Sequence, residues 1–246
     1  MAGLVYQLKS IWRDKFCMLS FLLPIAAAAA VQFAGVMDFS AQGRIQSGME
    51  GTKQVQAAGL LPAVIVLIAM FMGCTFNAVN MIAEKENGVD LINRILPMTR
   101  RQYISQKIFV GFVCGSLSAV ITACICFRMD WKRMLLLLVL ILLSAAASAL
   151  IGLLIGRVSD NIMTGVVLIK TVMLVFLAVP LVKYLMGLNK VFSVFSQLVP
   201  STAAFEGMLG LVSKAAPAPA GQVCILTAHC IGWFLVCLAA GNQKNH

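Results

Sequence analysis

Few residues in this chain have the type and spacing that chemistry at a protein site requires. The sequence has eight cysteines and two histidines, and its tightest pair of soft metal ligands is the C-x-C of Cys124 and Cys126. This pair lies in an apolar, helix-like stretch, where residues two apart point to different faces. Metalloprotease HExxH, hydrolase GxSxG and Ser/His/Asp arrangements are absent from the sequence. We therefore predict no metal site, no catalytic residue and no cofactor bound by the chain itself.

Two ionisable residues lie inside apolar stretches. Lys170 is near the middle of residues 162–182, and a charge at such a position is costly unless it lines a path or has a partner. It is a candidate for a substrate path, and contact with backbone carbonyls between two subunits is the alternative. His229 lies alone in the last apolar stretch, and we interpret it as a hydrogen-bonded packing residue in preference to a proton relay.

The composition of the chain indicates which kind of structural element holds these residues. Of 246 residues, 61% are hydrophobic and 11% are charged, with a mean hydropathy of +0.94. A soluble domain is about half apolar and a quarter charged, so a chain solvated mainly by water is excluded. The formal net charge of +10 comes mostly from basic residues beside apolar stretches, where they set topology and contact lipid headgroups. No pattern indicates nucleic acid as a partner.

Six stretches are long and apolar enough to cross a bilayer, which takes about 20 residues per helix. The connections between them are too short for a soluble domain. The sequence therefore predicts an all-α integral membrane protein, in which residues 1–246 form a single transmembrane domain. The predicted spans are residues 16–36, 57–82, 108–127, 134–155, 162–182 and 223–240.

Two further segments contain many apolar residues but are not predicted to cross the membrane. Met1–Lys15 repeats apolar residues near helical spacing, which predicts an amphipathic helix lying at the membrane interface; a cleaved signal peptide is the alternative. The stretch 191–212 is interrupted by Pro200. We predict a re-entrant segment there, made of two short helices that dip into the outer leaflet, with Ser201 or Thr202 capping the second helix.

Small and amide residues predict how the spans pack. Asn77 and Asn80 share one face of the second span, where interhelical hydrogen bonds are their expected use. Two GxxxG patterns permit close approach of helices, either within a subunit or across a dimer. They are Gly111/Gly115 and Gly152/Gly156.

The connection at residues 83–107 contains a short amphipathic helix. Its apolar residues fall on one stripe, and Pro97 then ends the helix. Thr99 and Gln102 have the spacing of a capping box, which predicts the start of the next helix, with Lys107 at the membrane edge. The apolar stripe must dock on the bilayer, on its own protein or in a groove of a partner. It consists of Val89, Ile92, Ile95 and Leu96.

This segment resembles the cytoplasmic loop of type-2 ABC exporter permeases. The wider layout is also similar to that family, with an amphipathic amino-terminal helix, six spans and broken outer helices before the last span. The resemblance therefore covers nearly the whole chain, although the contrast in positive charge between the two sides is weaker than the family usually shows. The motif consists of Glu84-Lys85-Glu86-x-Gly88 followed by Leu91, Pro97, Tyr103 and Lys107.

The resemblance implies a function. The chain would be the permease subunit of an exporter that moves a lipophilic or amphiphilic substrate by alternating access. Asn87–Leu96, with Gly88 and Pro97, would form a coupling helix inserted into a cleft of a separate ABC ATP-binding subunit. Glu84 and Glu86 would contact the amino-terminal interfacial helix or the ATPase.

The resemblance also implies partners. Two permease halves would pair in the membrane as a homodimer or a heterodimer. ATP and Mg²⁺ would bind to the partner ATPase, because this chain contains no GxxxxGK[ST] loop.

Six spans place both termini on the same side of the cell membrane. The amino-terminal basic cluster and the charged loop at 83–107 favour the cytoplasmic side, whereas the basic loop Arg128–Arg133 argues against it. An ATP-independent channel or scaffold protein and a membrane-embedded enzyme are the alternative functions.

Overall fold

The computed structural model describes residues 15–33, 51–88, 100–127, 129–186, 190–212 and 220–242. Every regular element within these ranges is an α-helix, which confirms the predicted all-α class. In lipid, a helix satisfies its backbone polar groups internally, so apolar sequences of this length fold as helices. The eight helices of the described part are α1 (Lys15–Phe33), α2 (Gly51–Glu86), α3 (Arg100–Cys126), α4 (Trp131–Val158), α5 (Ile162–Met186), α6 (Lys190–Ser196), α7 (Pro200–Val212) and α8 (Ala220–Asn242).

Five helices of the described part, α2, α3, α4, α5 and α8, are long and apolar enough to cross a membrane. A sixth, α1, is apolar over the shorter range Cys17–Phe33, and the rest of the predicted span 16–36 lies outside the described residues. The predicted interfacial helix also lies outside them, apart from Lys15. The chain is therefore a multi-pass membrane protein.

The helix α2 lies at the centre of the bundle. In its most apolar window 72% of the residues are buried, against 22% for α5 and 11% for α8. Its large side chains Leu67, Met70, Phe71 and Phe76 are almost fully buried, and α2 contacts α1, α3, α4, α5 and α7. The helices α5 and α8 therefore expose most of their apolar surface, which in a membrane faces lipid or another subunit.

Small residues bring α3 and α4 close to the backbone of α2. A Cβ atom added to Gly152 on α4 would lie 2.4 Å from the carbonyl oxygen of Cys74. One added to Gly115 on α3 would lie 3.0 Å from the Cα atom of Gly73. Both GxxxG patterns thus pack within the chain, onto α2, which is one of the two uses that the sequence left open.

Polar groups between α2 and α4 bind each other across the interface. Asn77 Nδ2 donates a hydrogen bond to the backbone oxygen of Ala149 over 2.9 Å, as predicted. The Ser148 hydroxyl accepts from the Cys74 N–H over 2.8 Å, and it donates to a second backbone oxygen of α2 over 3.1 Å. Asn80 is half-buried and forms no interhelical hydrogen bond within the described part, so its role stays a prediction.

The helices α6 and α7 form the predicted broken hairpin before α8. Residues 197–199 form a turn between them, and Pro200 is the first residue of α7, where its missing N–H costs no hydrogen bond. The predicted cap is wrong. Because α7 already begins at Pro200, Ser201 and Thr202 lie inside the helix, and their buried hydroxyls have no hydrogen-bond partner among the described residues.

Candidate site of coupling at the end of the second helix

The predicted coupling residues divide between the end of α2 and the segment that follows it. Glu84 and Glu86 lie in the last turn of α2, and Gly88 directly follows that turn. The remainder lie outside the described residues, so their coupling role stays a prediction: Val89, Ile92, Ile95, Leu96 and Pro97. The described part of the site is therefore Glu84, Lys85 and Glu86, here named the anchor triplet, with the groups that it contacts.

Glu84 joins the end of α2 to the first part of α3. Its Oε1 atom forms an ion pair with Nζ of Lys107. The Lys107 side chain has no exposed surface, whereas that of Glu84 is 16% exposed. A buried ammonium group requires a paired anion, and Glu84 supplies it. The prediction of Lys107 at the membrane edge misses this burial, because the side chain points into the bundle.

Lys85 binds the end of α4. Its Nζ atom donates to the backbone oxygen of Arg157 over 2.9 Å and to that of Ser159 over 2.8 Å. The last carbonyl groups of a helix lack intrahelical partners and form the negative end of its dipole. The ammonium group of Lys85 therefore satisfies the C-terminal end of α4 from a neighbouring helix.

Glu86 binds the start of α5. Its Oε1 atom accepts a hydrogen bond from the N–H of Ile162, the first residue of α5, over 2.7 Å. Asn161 Oδ1 accepts from the Thr164 N–H over 2.8 Å and so caps the same helix. A carboxylate at a helix N-terminus also lies favourably in the helix dipole. Together, Lys85 and Glu86 hold both ends of the turn between α4 and α5.

Gly88 redirects the chain at the end of α2. Its φ of 68° is left-handed, and its N–H donates to the Lys85 oxygen over 3.2 Å, a usual way for a helix to end. A Cβ atom at Gly88 would meet nothing within 4 Å. The glycine is thus required for its backbone conformation and not for space.

The anchor triplet links four helices, α2, α3, α4 and α5, at one end of the bundle. Arg157 extends these contacts to α8, because its Nη1 atom donates to the backbone oxygen of Cys237 over 3.2 Å. Lys85 belongs to the loop motif, but no role could be assigned to it from the sequence. Its partners and those of Glu86 lie 72 to 76 residues away in the sequence, and no spacing pattern signals such distant contacts.

A second polar cluster lies at the opposite end of α5. Glu206 on α7 forms an ion pair with Lys183 on α5, and it accepts a hydrogen bond from Gln222 Nε2 on α8 over 2.9 Å. This cluster holds the broken hairpin against two spans. Glu206 lies within the predicted re-entrant segment 191–212, and no nearby sequence pattern indicates these contacts.

The two ionisable residues singled out within the spans have different surroundings. Lys170 is exposed on α5, away from the anchor triplet. His229 is half-buried, and its Nε2 atom lies 2.8 Å from the backbone oxygen of Gln197. Because a carbonyl oxygen only accepts, Nε2 is the donor. This contact agrees with the interpretation of His229 as a packing residue.

The cysteines have the arrangement expected of packing residues. In α3, Cys124 is exposed and Cys126 is buried, so they lie on different faces, as the spacing predicts. Across the described ranges, no group of three or more His, Cys, Asp or Glu side chains is placed to hold a metal ion.

Comparison with known families gives a match over nearly the whole chain. Residues 18–240, most of the chain, match the family described as "ABC-2 family transporter protein". A search of curated proteins finds no match. The family match covers α1 to α8 almost entirely and agrees with the resemblance found in the loop motif and the layout of spans. The chain therefore belongs to the ABC-2 transporter family and is a membrane-spanning transport permease.

Proposed function

We propose that this permease is half of an ATP-driven exporter and that the segment 83–107 couples it to a separate ABC ATPase subunit. The observation that carries this proposal is the anchor triplet. The segment predicted to bind the ATPase leaves α2 immediately after three side chains that contact three other helices. A contact made by this segment therefore has a direct route into the membrane part.

The triplet would transmit a displacement of the segment in three directions. Glu84 would act on α3 through Lys107, Lys85 on α4 through two backbone oxygens, and Glu86 on α5 through the N–H of Ile162. The core helix α2 is well packed, whereas α5 is only 22% buried in its apolar window. We therefore expect α5 to move relative to α2 when the ATPase subunits close.

The proposal includes the partners that the resemblance implies. ATP and Mg²⁺ bind to the ATPase subunit, which carries out hydrolysis, while this chain provides the path by alternating access. A second permease half, in a homodimer or a heterodimer, covers part of the apolar surface that α5 and α8 expose. The remaining surface contacts lipid. A path lined by such apolar residues suits a lipophilic or amphiphilic substrate.

Copurification tests the coupling. Ile92 lies on the predicted apolar stripe and Asn93 lies off it. We expect Ile92→Asp to abolish copurification with the ABC ATPase subunit of the exporter, because an aspartate cannot enter an apolar cleft. Asn93→Asp adds the same charge to the same segment and should leave binding intact. Equal retention of the ATPase by both variants would contradict the proposed role of the segment.

The proposal places the anchor triplet and both termini in the cytoplasm and the α3–α4 turn outside. Asn93→Cys should react with a membrane-impermeant maleimide only after cells are permeabilised, in a background where the exposed Cys124 and Cys224 are serine. Asp130→Cys, in the exposed turn at the opposite end of α3, should react in intact cells. The reverse pattern would invert the orientation and remove the cytoplasmic ATPase as partner.

A further inference from the structure

The outer face of α5 carries a lysine within an apolar stripe. Met163, Val167, Lys170 and Leu174 follow each other at intervals of three or four residues, so they share one helix face. Met163 is 80% exposed, Val167 62% and Leu174 67%, and Lys170 is exposed as well. The rest of the described bundle therefore leaves this face uncovered.

Lys170 differs from Lys107 and Lys183, two lysines of the spans that form ion pairs, in its electrostatic surroundings. Lys107 pairs with Glu84, and Lys183 pairs with Glu206. No carboxylate of the described residues pairs with Lys170. An ammonium group on an apolar, membrane-spanning face is costly without a counter-charge. The counter-charge of Lys170 therefore comes from outside the described part of the bundle.

The depth of Lys170 indicates which anion can reach it. It lies eight residues after Ile162, the start of α5, or about 12 Å along the axis at 1.5 Å per residue. Helical side chains lean toward the N-terminus, and lysine extends its ammonium group toward the nearer interface. The ammonium group is therefore directed, from within the apolar layer, toward the headgroups of the leaflet on the side of the anchor triplet, and Leu174 lies deeper in the membrane.

We infer that Lys170 binds the anionic headgroup of the amphiphile that the exporter moves, taken laterally from this leaflet. The headgroup lies at Lys170 and the apolar tail lies along Leu174. The inference rests on the proposed function and narrows its substrate class to anionic amphiphiles. It also connects substrate to coupling, because Ile162 of the same helix is bound by Glu86 of the anchor triplet.

A binding experiment tests the site without the ATPase. In the full chain, Trp12, Trp131 and Trp233 are replaced by Phe, and Leu174→Trp places a reporter one turn beyond Lys170. Quenching by brominated phosphatidylglycerol and by brominated phosphatidylcholine is compared in mixed vesicles. We expect the anionic lipid to bind about fivefold more tightly, the effect of one basic residue near a membrane surface.

Charge variants test whether Lys170 causes the preference for anionic lipid. Lys170→Met should remove it, and Lys170→Arg should keep it. Lys132→Met removes the same charge from another exposed residue, at the start of α4, and should change nothing. A preference that survives in Lys170→Met would overturn the site. A reporter quenched by neither lipid would mean that protein covers this face, which would overturn it equally.

A transport experiment distinguishes cargo from resident lipid. With its ATPase in proteoliposomes, the permease should move fluorescent short-chain phosphatidylglycerol in an ATP-dependent way, and the phosphatidylcholine analogue more slowly. Lys170→Met should lower movement of the anionic probe about fivefold, with copurification of the ATPase unchanged. Anionic preference at the reporter without ATP-dependent movement would identify a bound lipid and overturn the cargo assignment. Retention of the ATPase by the Ile92→Asp variant would instead contradict the proposed function and leave the lipid site untouched.

Discussion

Lys107 and Glu84 form an ion pair that is closed to solvent on the lysine side and partly open on the glutamate side. The pair joins the first part of α3 to the last turn of α2, where the predicted coupling segment begins. Its two members therefore differ in what their removal leaves behind. Without Glu84, a buried ammonium group loses its anion, whereas without Lys107 the carboxylate still reaches solvent.

This asymmetry predicts unequal effects of single substitutions. Glu84→Gln should destabilise the protein by about 3 kcal/mol or more, the usual cost of leaving a buried charge without its partner. Lys107→Met should cost less, and Glu84→Gln with Lys107→Met should recover part of the loss. Thermal unfolding in detergent micelles measures all three variants. Additive effects in the double variant would show that the two groups do not interact.

The close approach of α4 to α2 predicts a strong effect at one glycine and none at another. A Cβ atom at Gly152 would meet the Cα of Cys74 at 2.7 Å, whereas one at Gly232 on α8 would meet nothing within 4 Å. Gly152→Ala should cost about 1–3 kcal/mol through overpacking. Gly232→Ala should be neutral or slightly stabilising, because alanine favours the helix. The same unfolding assay compares them, and equal midpoints would contradict the packing.

The left-handed backbone of Gly88 predicts an order of tolerance. Asparagine adopts this conformation more readily than other side chains, and β-branched residues adopt it least readily. Gly88→Asn should therefore retain ATPase copurification best, Gly88→Ala should lose about 1 kcal/mol of local stability, and Gly88→Val should be worst. Because the site is open around Gly88, an order that followed side-chain volume alone, with Ala above Asn, would refute the conformational explanation.

The ion pair between Lys183 and Glu206 predicts a charge-swap result. Lys183→Glu places two carboxylates together and should loosen the hairpin from α5, at a cost of about 1 kcal/mol or more for a partly exposed pair. Adding Glu206→Lys restores opposite charges and should restore most of the stability. Limited proteolysis between α6 and α7 reports the loosening. No rescue in the double variant would mean that Gln222, the other partner of Glu206, carries the contact.

The spans could be predicted because they depend on length and composition, which are local properties. The break at Pro200 was predictable from local sequence as well, since proline lacks the N–H that a helix interior uses, although Pro24, Pro62 and Pro180 lie inside helices of this chain. The exact start of α7 was not, because either the proline itself or the hydroxyls after it could begin the helix. The helix begins at the proline, so Ser201 and Thr202 are buried inside α7.

The site was less predictable than the spans. The glutamates of the anchor triplet were identified from a resemblance, but their described contacts depend on tertiary structure. Nothing near Lys107 in the sequence reveals that its side chain turns inward to Glu84. The GxxxG patterns indicated that helices approach each other closely. They did not indicate which helices, because a small residue permits close packing against any neighbour. The fold resolved that question in favour of α2.

The hydrogen bond from Asn77 to Ala149 has a consequence for biosynthesis. The two residues are 72 positions apart, and a ribosome adds residues at about 5–20 per second. For several seconds α2 therefore resides in the translocon or bilayer with an amide that has not yet met its acceptor. The hydrogen bond forms only after α4 has been synthesised, so the packing around α2 is completed well after α2 itself has been made.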